Sequence, residues 1–223
     1  KLIVKSPFPF RMDFSHFIIA FPLAQLGIRR TFPGNRPDFC MVFAQLSKLR
    51  GGDKMNLIWY LLCYSLLGFV GEVLYARLTH SAKPDRKCRL FLPLCPVYGI
   101  GAVVIALLPF RSPISVFLTA AAVATGVEYL CSVFYEKAWG VTFWNYHDLP
   151  GNVNGRVCLP FTLLWGLLSV FLLPVVHPIV QRLVSALPDI LLLPVGLLLI
   201  VDFLLTGLIL RSTHSTDALR WYR

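Results

Sequence analysis

Three acidic residues stand inside long apolar runs of this sequence: Glu72, Glu128 and Asp202. A carboxylate within a bilayer is costly, so such residues face a bundle interior or a wet cavity, where they can bind a proton, a cation or a cationic headgroup. The alternative is a structural role in packing and ion pairing. We expect the structural role for Glu72 and leave both roles open for Glu128. For Asp202 we expect a hydrogen bond with Thr206, one helical turn away.

A basic partner for Glu128 is predicted at Arg156, which directly precedes the fourth apolar run. Its long side chain can reach along the membrane boundary. We therefore expect Glu128 and Arg156 to approach each other, directly or through water, beneath the loop 139–157. These four residues, Glu72, Glu128, Asp202 and Arg156, form the candidate intramembrane polar site.

The loop 139–157 is long and rich in aromatic residues, Gly and Asn. So many large rings should pack on something, which favours a re-entrant or interfacial lid. Within it, His147 and Asp148 are residue types used in acid–base catalysis. No Ser or Cys nucleophile is placed beside them by a known motif, so we expect no enzymatic activity and assign no catalytic residues.

The six cysteines show no CxxC pair, and no His stands at zinc spacing from a Cys pair. Cys63 and Cys131 fall inside apolar runs. We expect all six to be reduced and mostly buried, acting as small apolar residues. The sequence predicts no metal site and no cofactor.

The composition indicates the environment in which these residues lie. Hydrophobic residues make up 57% of the 223 residues and charged residues only 14%, whereas soluble domains carry roughly 25% charged residues. Five apolar runs approach the roughly 20 residues that a spanning helix needs. The sequence therefore predicts an all-α, polytopic transmembrane helix bundle with about five spans, at 56–76, 90–110, 114–135, 158–180 and 190–210.

The net charge of +10 does not indicate nucleic-acid binding, because the basic residues sit in short segments between the apolar runs, facing lipid headgroups. Ten of them fall on one predicted side and two, Arg111 and Arg182, on the other. The positive-inside rule then predicts a multi-pass protein of a bacterial-type plasma membrane, with the C-terminus in the cytoplasm and the start of the first span outside. The ten are Arg77, Lys83, Arg86, Lys87, Arg89, Lys137, Arg156, Arg211, Arg220 and Arg223.

Residues 1–54 differ from the rest of the chain. They hold nine of the 21 Lys and Arg residues and several prolines, and their apolar stretch is too short to span. We interpret 1–54 as a translated leader with Met55 as the native start, the alternative being a disordered basic arm, and 55–223 as the transmembrane domain.

Several short motifs resemble those of one family, the CmpB-like, ABC-transporter type IV family. They begin with Gly68-Phe-Val-Gly-Glu72 and Pro93-Leu-Cys-Pro-Val-Tyr-Gly-Ile-Gly101, and continue through Glu128-Tyr129, Tyr135-Glu136-Lys137 and Trp144-Asn-Tyr146 to Asn152-Val-Asn-Gly-Arg-Val-Cys-Leu159 and Trp165-Gly166. The likeness covers residues 56–170 or so and departs from the family pattern at Leu92, Asn145 and His147. The family-motif residues that become site candidates are Cys95, Pro96, Tyr98, Gly99, Glu136, Trp144, Tyr146, Asn152, Gly155, Arg156 and Cys158.

The resemblance implies a membrane transport component. The chain contains no Gly-x-x-x-x-Gly-Lys-Ser/Thr nucleotide-binding motif, so a permease of this kind would need its ATPase on another polypeptide. Five or six helices are few for a complete pathway, which favours a homo- or hetero-oligomer. The rival hypothesis is a non-transporting sensor or assembly module whose loop 139–157 binds a partner.

Overall fold

The computed structural model describes residues 51–80, 88–108 and 112–220, with side chains described from Asn56 onward. Within these residues the regular structure is helical, apart from an isolated bridge between Val153 and Val157. The predicted all-α class is therefore confirmed. The prediction of a leader concerns residues of which 1–50 lie outside the described part, and it stays a prediction; the first described helix begins at Gly51.

Six α-helices follow one another along the described chain. They are α1 (Gly51–Leu78), α2 (Pro96–Ala106), α3 (Pro113–Phe134), α4 (Leu159–Phe171), α5 (His177–Ser185) and α6 (Leu192–Thr213). A π-helical turn, Tyr135–Trp139, extends α3, and another, Leu172–Val176, joins α4 to α5. Short 3-10 turns stand at Asp189–Leu191 and Thr216–Leu219.

Four of the resulting helical rods are long and apolar enough to cross a membrane: Asn56–Leu78, Pro113–Trp139, Leu159–Ser185 and Asp189–Thr213. Between 11% and 22% of their most apolar windows is buried inside the protein. Most of their apolar surface therefore faces outward, as expected for helices surrounded by lipid. These rods correspond to the first, third, fourth and fifth predicted spans.

The second predicted span, 90–110, differs from the structure. Its helix, α2, has 11 residues, too few for the roughly 20 that cross a bilayer. The residues from Cys88 to Cys95 are non-helical, and Cys95 is extended with φ −116° and ψ 91°. Proline explains where the helix begins, because Pro96 restricts the residue before it and fits the first helical turn.

The short helix α2 packs closely against α1 through two glycines. A Cβ atom on Gly99 would lie 2.2 Å from Ser65 Oγ and 2.4 Å from the carbonyl oxygen of Leu61. On α1, a Cβ atom on Gly68 would lie 2.2 Å from the Tyr98 ring. Small residues at helix contacts let backbones approach in this way. From this pair, α2 packs against α3, α3 against α4, and α6 against the π-turn that ends α3.

The close approach of α1 and α2 can be tested with two glycines of the same helix. We expect Gly99→Ala to lower stability by about 1–3 kcal/mol, because the new methyl group would overlap the α1 backbone, which cannot rotate away. Gly101→Ala is the matched control, since a Cβ atom there meets nothing within 4 Å. Thermal unfolding of the detergent-extracted protein measures both, and equal melting temperatures would contradict the tight contact.

Candidate functional site: two carboxylates held by aromatic side chains

The centre of the site is Glu128, a buried carboxylate near the end of α3 with 5% of its surface exposed. The hydroxyl of Tyr146 donates to one oxygen over 3.0 Å. The indole N–H of Trp165, on α4, donates to the other oxygen, also over 3.0 Å. Each oxygen thus has one neutral donor, and Glu128 forms no ion pair with a described basic residue.

A second carboxylate, Glu72 on α1, lies close by and is half-buried. It accepts a hydrogen bond from the hydroxyl of Tyr98 on α2. The Tyr98 ring meets Trp165 edge to face, with ring centroids 5.3 Å apart. These contacts connect five side chains into one group, which we call the carboxylate–aromatic cluster: Glu72, Tyr98, Trp165, Glu128 and Tyr146. It joins α1, α2, α3, α4 and the loop after α3.

The structure shows no direct ion pair between Glu128 and Arg156. The guanidinium of Arg156 instead pairs with Glu136, on the π-turn, and stands 5.4 Å from the centroid of the Tyr129 ring. Two neutral donors already occupy the oxygens of Glu128. The backbone carbonyl of Arg156 is held by the indole N–H of Trp144 over 2.8 Å.

The predicted hydrogen bond between Asp202 and Thr206 is not observed, and each of the two side chains accepts from a backbone N–H instead. Asp202, 1% exposed, accepts from the backbone N–H of Phe91 over 2.8 Å. Thr206, fully buried, accepts from the N–H of Leu90 over 3.1 Å. The residues ahead of α2 are not helical, so their N–H groups need acceptors from elsewhere, and α6 supplies them. Asp202 thus has a structural role and lies apart from the carboxylate–aromatic cluster.

The loop 140–158 is ordered by its own polar residues. Asn152 donates to the carbonyls of His147 and Leu149, and accepts from the N–H of Gly155. Gly155 has φ of +68° and leaves no room for a Cβ atom, which would lie 2.7 Å from the His147 ring. The backbone N–H of Tyr146 donates to the carbonyl of Gly155 over 2.8 Å. This folding aims the Tyr146 hydroxyl at Glu128.

The aromatic residues of this loop do pack on the helices, as predicted from their number. Phe143 and Trp144 contact Tyr135, at centroid distances of 4.8 Å and 6.1 Å. Tyr146 stacks on Phe161 of α4 at 4.9 Å. Burial and the negative charge of Glu128 raise the pKa of Tyr146 far above its usual range. The Tyr146 hydroxyl therefore keeps its proton and donates it in the hydrogen bond to Glu128.

The family-motif candidates divide into three groups in the structure. Tyr98 and Tyr146 hold the carboxylates, while Trp144, Asn152, Gly155, Glu136 and Arg156 order the loop. Cys95, Pro96, Gly99 and Cys158 stand at helix starts or at the α1–α2 contact. Cys158 directly precedes α4 without a side-chain capping bond, and the sulfur atoms of Cys95 and Cys88 are 3.1 Å apart. None of the five described cysteines is disulfide-bonded; Cys95 and Cys158 are buried, and the other three are half-buried rather than mostly buried as expected. No group of three or more His, Cys, Asp or Glu residues in the described part is placed to hold a metal ion.

Trp165 belongs to the site but was not among the candidate site residues. Its signal in the sequence is its position, because it lies well inside an apolar run rather than at an end. A buried indole N–H needs an acceptor, and in an apolar span only another side chain can offer one. Trp139 and Trp144, by contrast, follow the end of the third run, and the indole N–H of Trp144 donates to a loop carbonyl, that of Arg156.

A second polar group lies toward the other end of α1. The Tyr64 hydroxyl is 2.6 Å from His177 Nδ1, and Tyr60 stands 5.6 Å from the same ring. A cleft of about 190 Å³ opens beside them, lined also by Asn56 and Gln181. We call these residues the Tyr–His cluster.

The fold and the site together define a polytopic α-helical membrane protein with paired carboxylates in its helix bundle. Residues 59–209 match the family described as Putative ABC-transporter type IV. Because this match covers more than half of the chain, the protein belongs to that family, which confirms the resemblance seen in the motifs. No match was found among the curated proteins, and none among the solved structures.

The neutral donors to Glu128 can be tested by removing each in turn. We expect Trp165→Phe and Tyr146→Phe each to lower stability by about 1–3 kcal/mol, because a buried acceptor loses a partner. Glu128→Gln should stay close to the parent protein, since Gln accepts from Trp165 and donates to the Tyr146 hydroxyl. Melting temperatures measure these effects.

Tyr75→Phe is the control for these variants, because it removes a hydroxyl from an exposed ring. A Trp165→Phe variant as stable as Tyr75→Phe would show that the indole bond contributes nothing.

The structural role of Asp202 predicts how substitutions there change hydrogen exchange in the segment ahead of α2. Asp202→Ala should remove the carboxylate that accepts from the Phe91 N–H, at a cost of about 1 kcal/mol, whereas Asp202→Asn retains an acceptor oxygen. Hydrogen exchange of the peptide 88–95 should therefore accelerate in the Ala variant and little in the Asn variant. Asp148→Ala, at an exposed loop position, is the control. Unchanged exchange in Asp202→Ala would contradict this role.

Proposed function

We propose that this chain is a membrane-embedded transport component, a permease subunit whose ATPase is a separate polypeptide. The observation that carries the proposal is a row of residues at successive i+4 positions on α1. Asn56, Tyr60, Tyr64, Gly68 and Glu72 follow one another at this spacing, and the row turns by about 40° around the helix at each step. We call this the polar row, with Gly68 the position that admits the Tyr98 ring.

The polar row joins the two polar clusters. At one end, Asn56, Tyr60 and Tyr64 line the cleft or contact His177. At the other end Glu72 meets Tyr98. Tyr64 and Glu72 are eight residues apart, or about 12 Å along the helix. Between the two clusters Ser65 is buried, with a hydroxyl that has no partner in the described structure. Polar groups therefore extend through both halves of α1.

This distribution favours transport over a module that works on one membrane face, because a binding module needs polar groups on its own side only. Intramembrane carboxylates usually mark ion or substrate pathways. Glu72 and Glu128 would attract a proton, a metal cation or a cationic group. The membership in an ABC-transporter type family supports the same reading.

The remaining parts of the proposal follow from charge and size. In this proposal the carboxylate–aromatic cluster lies in the cytoplasmic half of a plasma membrane and the Tyr–His cluster in the outer half, which the positive-inside distribution supports. Four long helices enclose little volume, so the pathway would be completed by a second copy or a related subunit. The proposal assigns no chemical reaction to this chain.

The experiment that tests the proposal is co-purification from native membranes. The full-length tagged chain should retain, in mild detergent, a subunit with a nucleotide-binding motif, and the complex should hydrolyse ATP. Glu128→Gln, which preserves the packing, should keep the subunit and lower cation-stimulated hydrolysis at least tenfold. Asp148→Asn, an exposed acid, is the control. A complex without an ATP-binding subunit would contradict the proposal.

The second candidate function is a sensor or assembly module. A polar cleft of about 180 Å³ beside the loop 140–158 favours it, lined in part by Glu136, Asn145, His147 and Arg156. A partner bound there should be lost from the double variant Asn145→Ala with His147→Ala. Retention of every co-purifying chain in that variant would exclude the cleft as a docking site.

A further inference from the structure

Two cysteine side chains lie in direct contact just ahead of α2. The sulfur of Cys88 is 3.1 Å from the sulfur of Cys95, and the two residues are not disulfide-bonded. A disulfide bond has a length of about 2.05 Å, so a shift of roughly 1 Å would bring the two sulfurs to bonding distance. Cys88 is half-buried, whereas Cys95 is 5% exposed. A reagent would therefore reach Cys88 first.

The backbone between the two cysteines is held by neighbouring helices. Leu90 and Phe91 donate to side chains of α6. At the other end, the N–H of Cys95 donates to the carbonyl of Ser65 on α1 over 3.0 Å. These bonds are independent of the cysteine side chains. The positions of α1 and α6 therefore hold the segment that carries both thiols.

We propose that Cys88 and Cys95 are a redox modification site, in which a low-molecular-weight disulfide converts the two thiols into a reversible intramolecular disulfide. The Cys88 thiolate attacks one sulfur of the oxidant RSSR, forms a mixed disulfide and releases RS⁻. The sulfur of Cys95 then attacks the Cys88 sulfur and displaces the second RS⁻, which takes up the Cys95 proton. In sum, two protein thiols are oxidised by two electrons and RSSR is reduced to two RSH.

The cross-link would act on the start of α2. Cys95 directly precedes Pro96, and Tyr98 stands one helical turn further, where it holds Glu72. Oxidation would tie this turn to the segment anchored on α6. The inference rests on the cysteine geometry alone and does not depend on the proposed function.

The test uses the full chain in membranes that are treated with glutathione disulfide, blocked with N-ethylmaleimide, reduced and labelled with a heavy maleimide. The parent protein should gain two labels per chain, and dithiothreitol before blocking should remove both. Peptide mass spectrometry of the unreduced protein should show residues 88 and 95 linked. Cys88→Ser should gain no pair of labels, whereas Cys63→Ser and Cys158→Ser, single thiols elsewhere, should behave as the parent.

Three results would overturn the proposal. The first is the absence of the 88–95 linked peptide after oxidation of the parent protein, a measurement that needs no variant to fold. The second is linkage of Cys88 to another cysteine instead. The third is an 88–95 disulfide that is already present in untreated membranes blocked immediately with N-ethylmaleimide and that dithiothreitol does not reduce. The pair would then be a permanent cross-link.

Discussion

The close contact between α1 and α2 is the constraint on which the rest of the site depends. Gly99 allows α2 to approach the α1 backbone at Leu61, and Gly68 leaves space for the Tyr98 ring. Only at that separation does the Tyr98 hydroxyl reach Glu72 while its ring edge meets Trp165. A single methyl group at either glycine would push the helices apart, and the connection between the two carboxylates would be lost with it.

The short length of α2 creates a second constraint. A non-helical segment beside membrane helices carries backbone N–H groups that lipid cannot satisfy. Asp202, Thr206 and the carbonyl of Ser65 accept three of them. One acidic side chain in a span is therefore explained entirely by backbone satisfaction. This shows why an intramembrane acid indicates function only after its partners are known.

The acids of the bundle differ mainly in what donates to them. Asp202 accepts from the backbone, and Glu136 pairs with the cation Arg156 near the surface. Glu128 is buried and accepts only from neutral side chains. Such donors orient a carboxylate without cancelling its charge. An incoming cation or proton would displace no described basic side chain there, which distinguishes Glu128 as the centre of the proposed transport site.

The sequence by itself determined the helical membrane class, the four long spans, the family and the chemical types of the site residues. These properties depend on local patterns: the length of apolar runs, their interruption by charges, and motifs of a few neighbouring residues. The shortness of α2 was not foreseen, because the apolar run 90–110 predicted a spanning helix there.

Only the tertiary structure decided which side chains meet. Arg156 and Glu128 were sensible partners by charge and depth, but the turn around Asn152 and Gly155 directs Tyr146, not Arg156, toward Glu128. Trp165 completes the site from a helix 37 residues away along the chain. Such pairings depend on helix rotation and loop geometry. A rotation of one residue, about 100° around a helix, changes the partner of a side chain without changing any local pattern.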